Sequence, residues 1–440
     1  MMSKELDTLF GPKSVVVLGA SDAKDVGNVP AMFFRWIVSN ISKFTRGKVY
    51  GVDLSGNVEG YERSLAKVPK GQDLAVVSLS KVFLAKNLSA LIGKKIKALV
   101  LLTNEVDRRQ RKVLENLAGK RKIILLGPGA SGGMVNTTCG LVLVPASVSV
   151  PRRGNISIVS QDGGLAIEML DWACSNRVGI SKLVCTGEEM GIGLTDVVGY
   201  LANDRETKCI CVYLDELGNG RKFIESVREA TKRKPVVVLY GGMEYGDILA
   251  SALRQVKAFQ AKNVREALLL AEGLAKQPPM HGNRVAVVTN LAGKGKLLVK
   301  HLSLGGLIPA QLSSEISKKI SARYGNVNIT TFVDLGVGAR GDAYRYSVEQ
   351  LLSDKNVDGV IVITSFAGAL LEQGEVGALA DVAKRFKDKP VVVMASTPDD
   401  HSRAREVLAD TKLPVCGSPE EATLLMRSLY VYGKISEKAR

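Results

Sequence analysis

Three stretches of this chain join a β-branched run to a glycine-rich turn and a helical pattern: Val15 to Gly27 (VVVLGASDAKDVG), Ile156 to Ala166 (ISIVSQDGGLA) and Val285 to Lys296 (VAVVTNLAGKGK). Glycines let the backbone turn sharply, so that free amides at the next helix start can face an anion. A single turn of this kind is equally well explained by a helix packed closely on a strand. Three of them predict a chain built around several phosphate or carboxylate sites.

The elements that must hold these turns follow from composition. At 440 residues the chain exceeds one ordinary core, and 46 % hydrophobic residues with only 5 % aromatics and 44 glycines fit parallel sheets covered by helices. No apolar run reaches membrane length, and MMSKELDTLF is no signal segment, which predicts a cytoplasmic chain with no membrane partner. Cys209 and Cys211 share one face of a strand, and the six scattered cysteines read as reduced core thiols without metal spacing. The net charge of +16 falls in short clusters, RRQRK at 108–112 and KRK at 232–234, with no aromatic interleaving. That pattern is a solvated basic surface and argues against nucleic acid.

Strands are expected at Val15 to Gly19, Lys48 to Val52, Leu74 to Leu79, Ala98 to Thr103 and Ile123 to Leu126, alternating with helices. This is a doubly wound sheet whose ligands bind at the carboxyl ends of the strands. The remainder contains an echo: Gly154-Asn155 leads to Lys234-Pro235 and three valines, and Gly282-Asn283 leads to Lys389-Pro390 and three valines. Three α/β domains are predicted, 1–126, 127–280 and 281–440. The polar, proline-rich run Ala275 to Gly282 makes the second boundary, as a stiff spacer or a hinge.

In order and content these pieces resemble the alpha subunit of the ADP-forming acyl-CoA synthetases, relatives of succinyl-CoA synthetase. The resemblance rests on Leu9-Phe10-Gly11-Pro12, Gly19-Ala20-Ser21, Lys48-Val49-Tyr50-Gly51-Val52, Gly127-Pro128, Gly154-Asn155-Ile156, Val159-Ser160-Gln161, Gly220-Arg221-Lys222-Phe223 and Gly282-Asn283-Arg284. It implies a Rossmann-like CoA-binding domain followed by two flavodoxin-like domains of succinyl-CoA synthetase type. In such enzymes acyl-CoA and phosphate give an acyl phosphate, the phosphoryl group moves to a histidine, and an ATP-grasp part passes it to ADP. No ATP-grasp segment is visible, so an intact enzyme of this type would need a beta-type partner chain, and the paired α/β domains with an exposed catalytic face suggest an oligomer.

By the same resemblance, Gly19, Ala20 and Ser21 form the turn under the CoA phosphates, Val52 and Asp53 end the strand near the nucleotide, and Ser78 and Ser80 line the same crevice. Asp53 is a poor neighbour for a polyanion, and a helix-cap role explains it equally well. Ser160, Gln161, Gly163 and Gly164 match one anion-facing helix start. Asn290, Gly293 and Lys294 match the second, where Lys294 and Lys296 either strengthen an anion site or are solvated. Asp334 matches a family aspartate at a strand end and is otherwise a turn cap.

The catalytic half departs from the family. Where the phosphorylated histidine is expected, after Val236 to Leu239, the chain reads Tyr240-Gly241-Gly242-Met243-Glu244-Tyr245-Gly246-Asp247-Ile248. His281, His301 and His401, the only histidines, lack the required context. An imidazole is a nucleophile near its neutral form at working pH, and neither Asp nor Tyr replaces it simply. Asp162 stands where a serine would meet phosphate, Asp215 where a glutamate would orient the histidine, and Gly129 where an asparagine follows Gly-Pro. These departures predict an α-type subunit that binds CoA or acyl-CoA without phosphohistidine catalysis of its own. The alternatives are an active acyl-CoA ligase subunit with an ATP-grasp partner, a CoA-sensing regulatory or scaffolding subunit, and a nicotinamide-dependent oxidoreductase. The last is weakened because Gly19 and Gly27 are too far apart for G-x-G-x-x-G.

Overall fold

The computed structural model describes residues 2–21, 29–42, 44, 46–103, 106–120, 122–244, 246–364 and 373–437. The turn residues through Gly27, and Tyr245, lie outside them. The chain divides into two compact units, Met1–Val264 and Arg265–Arg440.

The first unit holds two sheets. One consists of β1 (Ser14–Gly19), β2 (Lys48–Asp53), β3 (Leu74–Ser78), β4 (Ala98–Leu101) and β5 (Ile124–Leu126), all parallel in the order β2-β1-β3-β4-β5. The other has seven strands: β6 (Met134–Asn136), β7 (Leu141–Leu143), β8 (Arg153–Ser160), β9 (Ile180–Cys185), β10 (Cys209–Leu214), β11 (Val236–Tyr240) and β12 (Phe259–Ala261). Their order is β12-β11-β10-β8-β9-β6-β7, with only the β6 and β7 pairings antiparallel.

Side-chain alternation decides which core each strand feeds. Val15 and Val17 of β1 face a core shared with the second sheet, including Val159 and Val212, while Val16 and Leu18 face a separate core with Leu84 and Leu88. Polar clasps fix the two sheets to each other. Asn40 Nδ2, on the helix Val29–Ile41, donates to Val144 O at 2.7 Å, and Asn136 Nδ2 donates to Phe10 O at 2.7 Å. Cys209 and Cys211 are free, fully buried thiols, and burial pushes Cys211 up to about 12.

The second unit holds β13 (Arg284–Thr289), β14 (Ile308–Pro309), β15 (Asn328–Ile329), β16 (Val333–Asp334), β17 (Gly359–Ile363), β18 (Val391–Met394) and β19 (Val415–Cys416). The main path is β15-β16-β13-β17-β18-β19, with β14 beside β13. The parallel run β13-β17-β18-β19 repeats β8-β10-β11-β12 of the first unit, the structural counterpart of the sequence echo. The proline-rich segment is packed against this unit. Met280 is buried and its amide donates to Leu429 O, while Gln277 Oε1 accepts the Val391 amide at 2.7 Å. These contacts anchor the segment within the second unit.

The repeated Lys-Pro has a physical cause. Lys389 Nζ donates to Leu352 O and Asp354 O at the end of the helix Gly341–Ser353, at 2.7 and 2.8 Å. Lys234 Nζ donates to Leu201 O at 2.8 Å and to Asp204 O, at the end of the helix Leu194–Asn203. Each lysine satisfies carbonyls that a helix end leaves without partners, and each sits just before a central strand.

Replacing Lys234 by Met is therefore expected to cost about 1–3 kcal/mol, read as a lower urea midpoint at unchanged slope. Burial lowers the Lys234 ammonium to about 8 from an ordinary 10.5. Between those values the unfolded chain binds more protons than the folded one, so this group makes stability rise with pH across that window. The Met variant should lack that rise.

Candidate functional site

A cavity of about 850 Å³ lies in the first unit at the carboxyl ends of β4, β8, β9 and β10. The first sheet and the helix Val29–Ile41 contribute Val29, Pro30, Phe33, Leu102 and Thr103, none of them charged. The second sheet contributes Asp162, Glu188, Glu189, Asp215 and Glu216, with Lys222 and Phe223 from the helix Gly220–Thr231.

Gln161, the residue after β8, holds the cavity in shape. Its Oε1 accepts the amides of Asp215 (2.8 Å) and Glu216 (3.0 Å), and its Nε2 donates to Glu189 Oε1 at 3.1 Å. The same Glu189 oxygen accepts Thr186 Oγ1 (3.1 Å) and the Leu194 amide (3.0 Å). Glu189 takes the left-handed backbone at φ 54°, uncommon for a residue with a Cβ. Tyr213 donates its hydroxyl to Asp215 at 3.0 Å, and burial, with that carboxylate beside it, pushes the phenol up to about 12. Tyr213 therefore remains a donor throughout the neutral range.

At the start of the helix Gly163–Ser175, Asp162 Oδ1 accepts the Leu165 amide at 2.7 Å. The protein's own carboxylate thus caps the positive end of this helix. Ser160 Oγ donates to Asp162 O at 2.6 Å. Gly163 is required by packing, since a Cβ there would lie 2.0 Å from Ser131 Oγ, and a Cβ on Gly164 would lie 3.2 Å from Asp162 Oδ1.

Most of the predicted nucleotide-site residues in the first sheet are engaged in the fold. A Cβ on Gly19 would lie 2.1 Å from Phe34, so here the glycine serves close helix-on-strand packing. Ala20 and Val52 are buried in the core, Ser78 Oγ donates to Pro30 O at 2.7 Å, and Ser80 stands at the N-terminus of the helix Lys81–Gly93 without a side-chain cap bond. Asp53 is fully buried, and its role is wider than a helix cap. It accepts the Ser21 hydroxyl (2.5 Å) and the amides of Ser21, Ser55, Asn57 and Val58. Burial alone would raise its carboxyl, yet these donors outweigh it and hold the group below the usual carboxylate range.

In the second unit, Asn290, Gly293, Lys294 and Asp334 line a smaller hollow of about 340 Å³ at the start of the helix Ala292–Leu304. Gly293 faces open space, Asn290 Oδ1 is buried without a partner, Lys296 is exposed, and Asp334 Oδ1 accepts the Gly336 amide at 3.0 Å, as a turn cap does. The histidines are occupied elsewhere in this unit. His281 Nδ1 lies 3.1 Å from Glu437, His301 Nε2 lies 3.3 Å from Glu420, and burial with neighbouring Arg405 pushes the His401 imidazole below its ordinary value. In the first unit, the segment after β11 is tied down by Gly241 N donating to Leu214 O at 2.9 Å and Tyr240 Oη donating to Glu244 O at 2.5 Å; Met243 at its tip is fully exposed.

Sequence reasoning missed the pair Glu188–Glu189. Glu188 accepts Arg111 at 2.5 Å, which places one arginine of the basic run 108–112 beside the cavity. Two glutamates directly after a buried strand and Thr186-Gly187 were the available signal.

Residues 153–276 match the succinyl-CoA ligase like flavodoxin domain. The alpha subunit of ADP-forming acetate–CoA ligase II of Pyrococcus furiosus is 28 % identical over 98 % of both chains, and that of ligase I is 26 % identical over 98 % of this chain and 99 % of the relative. The ADP-forming 4-hydroxybutyrate–CoA ligase of Nitrosopumilus maritimus is 27 % identical, and there the alignment spans 61 % of the relative. A crystal structure of a Pyrococcus horikoshii OT3 protein superposes with a TM-score of 0.87 at 27 % identity, covering 98 % of this chain and 99 % of that one. The nicotinamide reading falls: these named relatives are ligases, and the carboxylate ending β2, where a ribose-binding acid would stand, is wholly buried.

Ser21→Ala is expected to destabilise the protein by about 1–3 kcal/mol at neutral pH. The depressed Asp53 carboxyl contributes stability above its unfolded value that is lost as pH falls through its folded one. The variant should therefore show a smaller loss on acidification, followed by circular dichroism.

By sequence and by fold together, the chain is a homologue of the alpha-type subunits of the ADP-forming acyl-CoA synthetases.

Proposed function

We propose that this chain is a CoA- and acyl-CoA-binding subunit of alpha type that carries no phosphohistidine of its own and works beside an ATP-grasp partner. One observation carries the reading. The helix start that would receive phosphate is capped by Asp162, in a cavity lined by five carboxylates and, among the described residues, by no histidine. A phosphoryl group brought there meets like charge where transfer needs donors and cations. What supports CoA binding is the similarity to ligase alpha subunits along nearly the whole chain. The sites proposed for CoA are the crevice at Gly19, Ser21 and Ser80 and the cavity itself.

Calorimetric titration with CoA, with acid-labile phosphate measured after incubation with ATP and an ATP-grasp partner, tests the proposal. Saturable CoA binding with no protein-bound phosphate is the expected result. ATP-dependent acyl-CoA formation, abolished by replacing one of the three histidines, would overturn the loss of catalysis.

A further inference from the structure

We infer that the outer face of two helices covering the first sheet docks an acidic, amphipathic helix of a partner protein. Docking there goes beyond ligand binding and stands whether or not the chain binds CoA.

The charge of the chain is concentrated at this face. Residues 81–122 hold twelve lysines and arginines against three acids, so about a tenth of the chain carries nine of its sixteen net positive charges. Within this stretch the helices Lys81–Gly93 and Arg108–Gly119 lie on the same side of the sheet, with Leu84, Leu88, Leu91 and Leu114 turned into one core. Gln110 Nε2 donates to Lys81 O at 3.0 Å, which sets the two N-terminal turns side by side. Lys81, Lys86, Arg108, Arg109 and Lys112 are exposed on them. In the basic run 108–112 the ion pair is made by Arg111, with Glu188. Among the described residues, no acid pairs with Lys86, Arg108, Arg109 or Lys112. The Asp107 carboxylate accepts the Gln110 amide at 2.8 Å, and Glu115 is the one acid within the two helices.

Apolar side chains are interleaved with these cations. Val82 is 61 % exposed, Phe83 39 % and Val113 38 %. Apolar residues grouped at a surface and rimmed by charge mark an interface rather than ordinary exposure. The occupant must bring carboxylates to the rim and apolar side chains to the centre, as one helix with an acidic and an apolar stripe does. A bilayer is a poorer match, because Phe83 and Val113 are more than half covered and do not stand out far enough to insert. Nucleic acid is a poorer match as well, since the face offers bases a single, partly covered ring at Phe83.

Opposite charge acts mainly on encounter, and apolar contact mainly on departure. The test uses the full chain and a fluorescent synthetic helix with leucines along one side and glutamates flanking them, beside a peptide of the same composition in scrambled order. Anisotropy titration is expected to show saturable binding of the patterned peptide, with the scrambled one about tenfold weaker. Raising salt from about 0.05 M to about 0.5 M shortens the screening length about threefold and should slow association about tenfold in stopped flow. Lys86→Glu combined with Lys112→Glu should weaken binding about tenfold, whereas Lys208→Glu combined with Arg233→Glu, an equal change of net charge elsewhere, should leave it unchanged. Val82→Ser should speed dissociation about threefold. Equal binding of the two peptides, no binding of either, or an equal effect of the two charge reversals overturns the docking surface. Displacement of the peptide by CoA would assign these cations to a nucleotide, and tighter binding to phosphatidylglycerol vesicles than to the peptide would assign them to a membrane; either result overturns it too. The two peptides and the salt series with the unaltered chain decide the matter even where a variant fails to fold.

Discussion

The amide of Gln161 is the interaction on which the cavity depends. One side chain accepts two backbone amides of the loop after β10 and donates to a carboxylate of the loop after β9, while its own position is set by the end of β8. Three loops from three adjacent strands are thereby joined through one amide side chain, with the Glu189 carboxylate among its partners. Removing this amide would take one donor from the half-buried Glu189 carboxylate and the acceptor from two backbone amides at once.

Carboxylates supplied by the protein recur where an anionic ligand was expected. Asp53 collects five donors beside the first turn, and Asp162 caps the helix of the second. The third helix start, at Leu291, has no side-chain cap, and Lys294 is beside it. At comparable points of similar sheets, one helix start thus carries a carboxylate cap and the other carries none.

Much of the architecture was legible from pattern. Buried parallel strands read as β-branched runs, and the five strands expected in the first sheet appear within a residue or two at most ends. The duplicated Lys-Pro was visible as a repeat, although its purpose, capping a helix that ends some 30 residues earlier, required coordinates. The glycine turns show where local reading stops. Gly19, Gly163 and Gly293 look alike in sequence, yet the first yields to Phe34, the second to Ser131, and the third meets nothing. What a glycine makes room for is decided by residues far along the chain. The Glu189 network was missed for the same reason, since its partners are separated by up to 28 positions.

The exposed tip at Met243 has a consequence for the history of the chain. A connection whose outermost side chain touches no neighbour can be lengthened or trimmed at little cost, because each doubling of a loop adds only about 0.6 kcal/mol of closure entropy. A catalytic loop carried at this place would be separable from the scaffold: selection for folding would not notice its departure, and only selection for turnover would keep it.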